Sequence, residues 1–265
     1  MICLSWNVRG LGNSRAFAAL SRLLKKHSPD FVFISETKVS GHKASSIKDS
    51  LQFGDGFIVD CVGMSGDLML LWKKELLVSI QSFSVGHIDA CIQMEDGFTW
   101  RFSGFYGDPI PSKRVCSWAL LRRLRDVNLL PWVFRQATDN CDLMDLGSSG
   151  PFLTWNNRRE GRDNVQERLD RFLADSAWRD KFYNANVEHL GFNSSDHRAI
   201  LLRLNRVPSS RNFRGREIAF WFEPFWIKKE DIGGVVKLAW SSASPTNSVE
   251  DLKRKLNSCA SKLLG

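Results

Sequence analysis

Five short apolar segments, 57–62, 68–72, 77–83, 90–94 and 99–106, follow one another with little but turn residues between them. Gly63, Gly66-Asp67, Gly86 and Asp96-Gly97 punctuate the run. Spacing this short predicts antiparallel strands joined hairpin after hairpin. Any helices must then come from the flanking sequence. Upstream, residues 2–8 read as a central strand, 9–13 as a turn, and Ser14 as the cap of a helix with Phe17, Leu20, Leu23 and Leu24 on one face. Residues 31–35 read as a second buried strand, ending at Glu36-Thr37-Lys38. A strand–helix–strand crossover places both strand ends on one rim, so Asn7 and Glu36 are expected to converge.

Downstream, residues 112–126 predict a helix with Val115, Trp118, Leu121 and Leu124 inward. Pro131-Trp132-Val133 starts a buried strand that is expected to stop after three residues, with 134–141 resuming as a helix. Residues 152–155 read as a short strand, 156–164 as a polar, basic loop, 168–173 as a short strand or turn, 176–182 as a helix and 186–189 as a strand. Ser195-Asp196-His197 then runs into the apolar strand 198–204, which places the polar triplet at the edge of the core. The pattern changes beyond 204: a basic linker at 208–216, a dense aromatic segment at 220–226, helical character at 227–240, and a last helix opened by Ser248 and Asp251 with Val249, Leu252, Leu256 and Leu263 on one face. The expected domains are therefore 1–204 and 205–265.

The net charge of +8 favours an anionic partner such as nucleic acid. The six cysteines form no C-x-x-C pair and the histidines do not cluster beside them, which argues against a zinc site or a disulfide framework and for a reducing compartment. No secretory signal of the usual kind opens the chain and no apolar run reaches the length of a membrane span. The expectation is an intracellular protein, with nucleus or cytoplasm left open, no membrane association and no obligate protein partner.

Asn7, Glu36, Tyr106 and the Asp196-His197 pair all stand at the ends of apolar strands. Each alone has an ordinary use: an asparagine caps a turn, a glutamate is a solvated strand-end charge, a tyrosine packs, a histidine is satisfied at a surface. Together at strand ends of a layered α/β fold they point to a site. A carboxylate among neutral oxygens suits Mg²⁺, and a histidine with a tyrosine suits a phosphate.

The motifs L-S-W-N-V-R-G (4–10), S-E-T-K (35–38), G-F-Y-G (104–107), R-L-D-R (168–171) and S-D-H-R (195–198), in this order, resemble the endonuclease/exonuclease/phosphatase superfamily. They look most like the AP-endonuclease-like domain of plant LINE-type non-LTR retrotransposons. The aromatic segment around 222–226 resembles the connector that follows that domain in such elements. The resemblance implies an α/β fold, a four-layer α/β/β/α sandwich of two mainly antiparallel sheets between helices. It implies Mg²⁺-dependent cleavage of phosphodiester bonds, here in DNA. By the same resemblance Glu36 is the metal ligand, Asn7 stands beside it, Tyr106 and His197 contact the scissile phosphate, Asp170 supports the site and Asp196 is the carboxylate paired with His197. The 156–164 loop resembles a DNA-facing hairpin with Arg158, Arg159 and Arg162 aimed at backbone phosphates; a solvated turn is the plain alternative.

The family also carries G-D-x-N after the strand that starts here at Pro131. No Gly-Asp in this chain has Asn two residues later: Gly54-Asp55, Gly66-Asp67 and Gly107-Asp108 all lack it. The missing aspartate would orient or deprotonate the attacking water and the asparagine would hold it. Loss of a positioned base costs about 10²–10⁴-fold in rate. The sequence therefore leaves two readings: an impaired phosphodiesterase, or a non-catalytic remnant that binds nucleic acid weakly.

Overall fold

The structure is a computed structural model that describes residues 1–60, 67–107, 114–128, 130–135, 143–204 and 232–241, with short pieces between 251 and 259. The chain divides into two compact units, Met1–Ser209 and Ser210–Gly265. In the first unit, the chain runs β1 (Ile2–Asn7), α1 (Ser14–His27), β2 (Phe31–Ser35), α2 (Gly41–Ser50), β3 (Asp55–Val59), β4 (Leu68–Trp72), β5 (Leu77–Ser84), β6 (His87–Gln93) and β7 (Thr99–Phe105). It continues through α3 (Arg114–Val127), β8 (Trp132–Arg135), β9 (Met144–Asp145), β10 (Trp155–Asn156), β11 (Gln166–Glu167), β12 (Phe172–Ala174), α4 (Ser176–Lys181), β13 (Asn186–Phe192) and β14 (Arg198–Arg203).

Two six-stranded sheets form, in the orders β13-β14-β1-β2-β4-β3 and β5-β6-β7-β8-β12-β9. Each is antiparallel except for one parallel pair, β1–β2 in the first and β7–β8 in the second. The strand β2 shows how four layers follow from a period of two. All five of its residues are buried. Phe31 and Phe33 pack into the core between the sheets, with Ile88, Ala90, Phe102, Val133 and Phe172 of the second sheet. Val32 and Ile34 pack the other way, with Leu20 and Leu23 of α1 and Ala44 and Ile47 of α2. A strand covered on both faces reads as a continuous apolar run because alternate side chains fill different cores. On the far side of the second sheet, Leu121 and Leu124 of α3 pack on Phe105, Trp132 and Phe134. This is the helix–sheet–sheet–helix architecture that the motifs implied.

Several local expectations are corrected. The cap of α1 is Asn13, whose side chain accepts from Arg15 N, and not Ser14. Val115 of α3 is exposed, while Leu121 and Leu124 are buried as expected; the side chain of Trp118 lies outside the described residues. The helix α2 went unforeseen because only Ala44 and Ile47 are buried on it. Most consequentially, Phe134 and Arg135 do not begin a helix. They continue β8, pairing with Ser103 and Gly104 of β7 and with Leu173 and Phe172 of β12. Strands on both sides would otherwise be left with unpaired backbone groups, and that demand outweighs local helical preference. The rest of the expected helix, 136–141, lies outside the described residues.

In the second unit the helix α5 covers Ile232–Ser241; residues 227–231 of its expected span lie outside the described residues. Ala239 is buried and Lys255 Nζ stands 5.3 Å over the Trp240 ring. Leu256, expected on an apolar face, is exposed. The linker 208–216, the aromatic segment 220–226 and the cap at Ser248 lie outside the described residues. No described helix is long and apolar enough to cross a membrane. The described cysteines, Cys3, Cys91, Cys116 and Cys259, are free thiols.

Gly104 of β7 lies against Phe33 of β2. A Cβ there would lie 2.3 Å from ring carbons of Phe33. Gly104→Ala is expected to destabilise the fold by about 1–3 kcal/mol through overpacking. Urea unfolding checks it: the midpoint falls while the slope is unchanged.

Candidate active site

The rim is built from strand ends that the topology brings together. β1 and β2 are parallel with Asn7 beside Ser35, so both finish at the same edge. β14 runs antiparallel to β1, and the residues just before it, Ser195 to His197, arrive at that edge. Tyr106 follows β7 of the second sheet. The turn after β1 is stitched to the segment after β2 by Gly10 N to Glu36 O at 2.8 Å and Leu11 N to Thr37 O at 2.6 Å. Arg9 and Glu36 both adopt left-handed backbone, at φ 48° and 53°. Non-glycine residues held there cost about 1–3 kcal/mol, and such strain clusters where a side chain must be aimed.

Glu36 is the hub. Its Oε1 accepts from Asn7 Nδ2 at 2.8 Å and from the Tyr106 hydroxyl at 2.9 Å. Its Oε2 lies 3.7 Å from Arg9 Nε. Asp196 Oδ2 is ion-paired with Arg9 Nη1 and accepts from Trp155 Nε1 at 3.0 Å. One guanidinium thus spans both carboxylates. Burial alone would lower the Arg9 pKa; the hydrogen bond to Asp196 and the charges of Asp196 and Glu36 more than offset it and raise it. Ser195 braces the loop: its hydroxyl donates to Asn7 O at 2.6 Å and accepts from His197 N at 3.1 Å.

His197 does not pair with Asp196. Its Nδ1 meets Asp170 Oδ2 at 2.8 Å. The family resemblance gave that role to Asp196, but successive side chains entering a strand leave on opposite faces. Asp170 Oδ1 is ion-paired with Arg135 Nη2, and the two side chains are 4% and 1% exposed. Asp170 N also donates to Thr154 Oγ1 at 2.9 Å. Burial would raise the Asp170 pKa, but Arg135, then His197, then the Thr154 hydrogen bond outweigh it, and the carboxyl is held below its usual value. Arg135 itself packs over the Phe33 ring at 5.7 Å, 3.5 Å from Ser35 Oγ, and its Nε finds no hydrogen-bond partner among the described residues.

The polar loop is a hairpin, β10–β11, carrying a 3₁₀ turn at Gly161–Asp163. Asn157 Oδ1 accepts from Arg159 N and Val165 N, both at 3.1 Å, and Asn164 Nδ2 donates to Asn156 Oδ1 at 3.0 Å. The hairpin base is docked on the rim by Asn156 N to Asp196 O at 3.1 Å and Arg198 N to Thr154 O at 2.8 Å. Arg158 is exposed, but its Nη2 holds the carbonyls of Ser195 and Asn193. Arg159 and Arg162 are exposed at the tip.

The donor set suits a hard divalent ion. Glu36 and Asp196 both offer oxygen to a single cation, the Arg9 guanidinium, which shows that their field converges on one positive charge. Mg²⁺ binds one or two carboxylates and keeps waters. No cluster of three or more His, Cys, Asp or Glu suited to a metal occurs among the described residues. Asp145 is engaged elsewhere, with Arg168 at 2.7 Å and Arg171 at 3.6 Å. Asp142 lies outside the described residues. Sequence reasoning missed Arg9, Arg135, Thr154 and Trp155. Arg9 was visible inside L-S-W-N-V-R-G; the others carry no local signal, because their roles come from partners 16 to 41 residues away.

Two mixed sheets face to face between helices, with these polar side chains at one rim, define an α/β sandwich with a polar cluster at a strand-end edge. Residues 4–197 match the model of the Endonuclease/Exonuclease/phosphatase family, and the chain belongs to that family. Solved structures share the fold at low identity. The endonuclease domain of TRAS1, a telomere-specific non-LTR retrotransposon, is 15% identical with a TM-score of 0.57, covering 77% of this chain and 98% of that one. An AP endonuclease from Archaeoglobus fulgidus is 14% identical with a TM-score of 0.55, covering 78% and 100%. A 3'-5' exonuclease from Neisseria meningitidis is 15% identical with a TM-score of 0.54, covering 78% and 100%. No curated relative matches the sequence.

Proposed function

We propose that this chain is a Mg²⁺-dependent phosphodiesterase of the endonuclease type, of retrotransposon origin, that acts on DNA with impaired turnover. The observation that carries the reading is the hydrogen-bonded set of Asn7, Glu36 and Tyr106 on one carboxylate, with Asp196 reaching the same cation. Glu36 and Asp196 would hold the metal, which supplies Lewis-acid stabilisation of phosphate charge. Tyr106 and His197 would contact the phosphate. Asp170 fixes the His197 ring by accepting at Nδ1, which directs Nε2 to the ligand. The chain has no G-D-x-N, and Asp145 is tied to Arg168, so aiming of the attacking water is the weak step.

The test is supercoiled plasmid incubated with the full chain and Mg²⁺. Slow conversion to nicked circles that chelation abolishes supports the reading. Absence of nicking at every metal concentration favours the second reading, a nucleic-acid-binding remnant, for which the lost motif and the basic hairpin speak.

Both readings use the hairpin. Arg159 and Arg162 contact backbone phosphates while Arg158 anchors the hairpin to the Ser195 loop. Replacing Arg159 and Arg162 together by Gln is expected to weaken DNA binding at all sequences alike. It should also reduce the slope of log affinity against log salt by about 2, near 0.9 per phosphate contact. Fluorescence anisotropy over a salt series measures it, and an unchanged slope removes these residues from the interface.

A further inference from the structure

Arg9 stands where the two candidate metal-binding carboxylates converge. It is ion-paired with Asp196 Oδ2 through Nη1, and its Nε lies 3.7 Å from Glu36 Oε2. The carboxylate side chains are 7% and 19% exposed, whereas that of Arg9 is 50% exposed. Its backbone is pinned on both sides of the turn: Arg9 N bonds Asn7 Oδ1 at 3.3 Å and Gly10 N bonds Glu36 O at 2.8 Å. Backbone and carboxylates are therefore fixed, and the long side chain has water on one side. It is the part of this cluster that can leave.

We propose that Arg9 is a built-in cation that occupies the divalent-ion position and competes with the ion for Glu36 and Asp196. The inference rests on the Mg²⁺ reading above. Two carboxylates carry two negative charges, which one divalent ion neutralises. A guanidinium added to a filled site would meet a like charge at contact distance, so the ion and Arg9 exclude each other. Once displaced, Arg9 hangs at a rim shared with Tyr106 and is available to an anion. A guanidinium takes phosphate oxygens by a two-pronged hydrogen bond. A phosphodiester that captures Arg9 frees the carboxylates. Ion and nucleic acid must then strengthen each other's binding by the same factor. Metal would be held weakly by the free protein and more tightly when a DNA backbone is present.

Calorimetric titration of Mg²⁺ into the full chain and its Arg9→Ala and Arg9→Lys variants tests this without reference to turnover. Arg9→Ala is expected to bind Mg²⁺ about tenfold more tightly, equivalent to about 1.4 kcal/mol. Arg9→Lys should fall between, because a compact ammonium reaches one carboxylate at a time. Methylguanidinium at sub-denaturing concentration and constant ionic strength should pull the Arg9→Ala affinity back toward the parent value, a response that a merely structural arginine would not produce. Equal or weaker Mg²⁺ binding by Arg9→Ala, with its circular dichroism unchanged, overturns the competition while the metal site stands. If Arg9→Ala does not fold, Arg9→Lys decides by the same criterion. Absence of Mg²⁺ binding in every variant that folds overturns the metal reading itself, and the competition with it.

Discussion

Asp170→Asn is expected to lower the unfolding free energy by about 3–5 kcal/mol, the range found when one partner of a buried ion pair is removed and the other charge stays behind. The stranded charge is Arg135, whose side chain is 1% exposed and whose contacts among the described residues include the Phe33 ring and a 3.5 Å approach to Ser35 Oγ. An asparagine can still accept one hydrogen bond there, but it brings no charge. The effect is pH-dependent with a definite sign. Asp170 has a folded-state pKa below its unfolded value. Its contribution is therefore present above the unfolded carboxyl pKa of about 4 and is lost as pH falls through the folded value. Urea melts at pH 7 and across the acid range check both parts: the variant should be less stable at neutral pH, and its loss of stability on acidification should be shallower. Adding Arg135→Met to Asp170→Asn should recover most of the loss, since replacing both members of a buried pair by packed groups is often neutral. A double variant as unstable as the sum of the singles would show that the pair is not the unit that matters.

Glu36→Ala is expected to reduce Mg²⁺-dependent nicking by at least about 10³-fold, which places it at the level of the chelated blank. A Lewis-acid ion supplies several kcal/mol of stabilisation to developing phosphate charge, and each 1.36 kcal/mol is about tenfold in rate. Glu36 is also the carboxylate on which Asn7 and Tyr106 both close, so its loss releases both groups from one geometry. Glu36→Gln keeps the shape and the left-handed backbone demand and removes only the charge; it should show nearly the same loss, with unchanged thermal stability. Residual nicking in Glu36→Gln within a few fold of the parent would detach the activity from this site. Because the proposed reading gives the parent impaired turnover, the assay needs long incubations and a high protein-to-plasmid ratio.

Much of this was legible in order along the chain. Strand segments such as 68–72 and the crossover that joins Asn7 to Glu36 follow from spacing, because a strand's period of two and a crossover's handedness are local or near-local rules. The end of the strand at Trp132 was misread for a reason that lies outside the segment. Phe134 and Arg135 look helical by themselves, but β7 and β12 each present backbone groups that need them.

The sequence by itself determined individual strands and the polar residues at their ends, which rest on apolar periodicity and turn residues, and its motif order carried the family resemblance that implied the two-sheet architecture. Only the tertiary structure decided which charge faces which: Asp170 rather than Asp196 on His197, Arg135 on Asp170, and Arg9 across Glu36 and Asp196. The physical reason is that charges at a poorly solvated rim must find opposite charges by proximity in space. Direction from the backbone sets that proximity, and neighbours in sequence point apart.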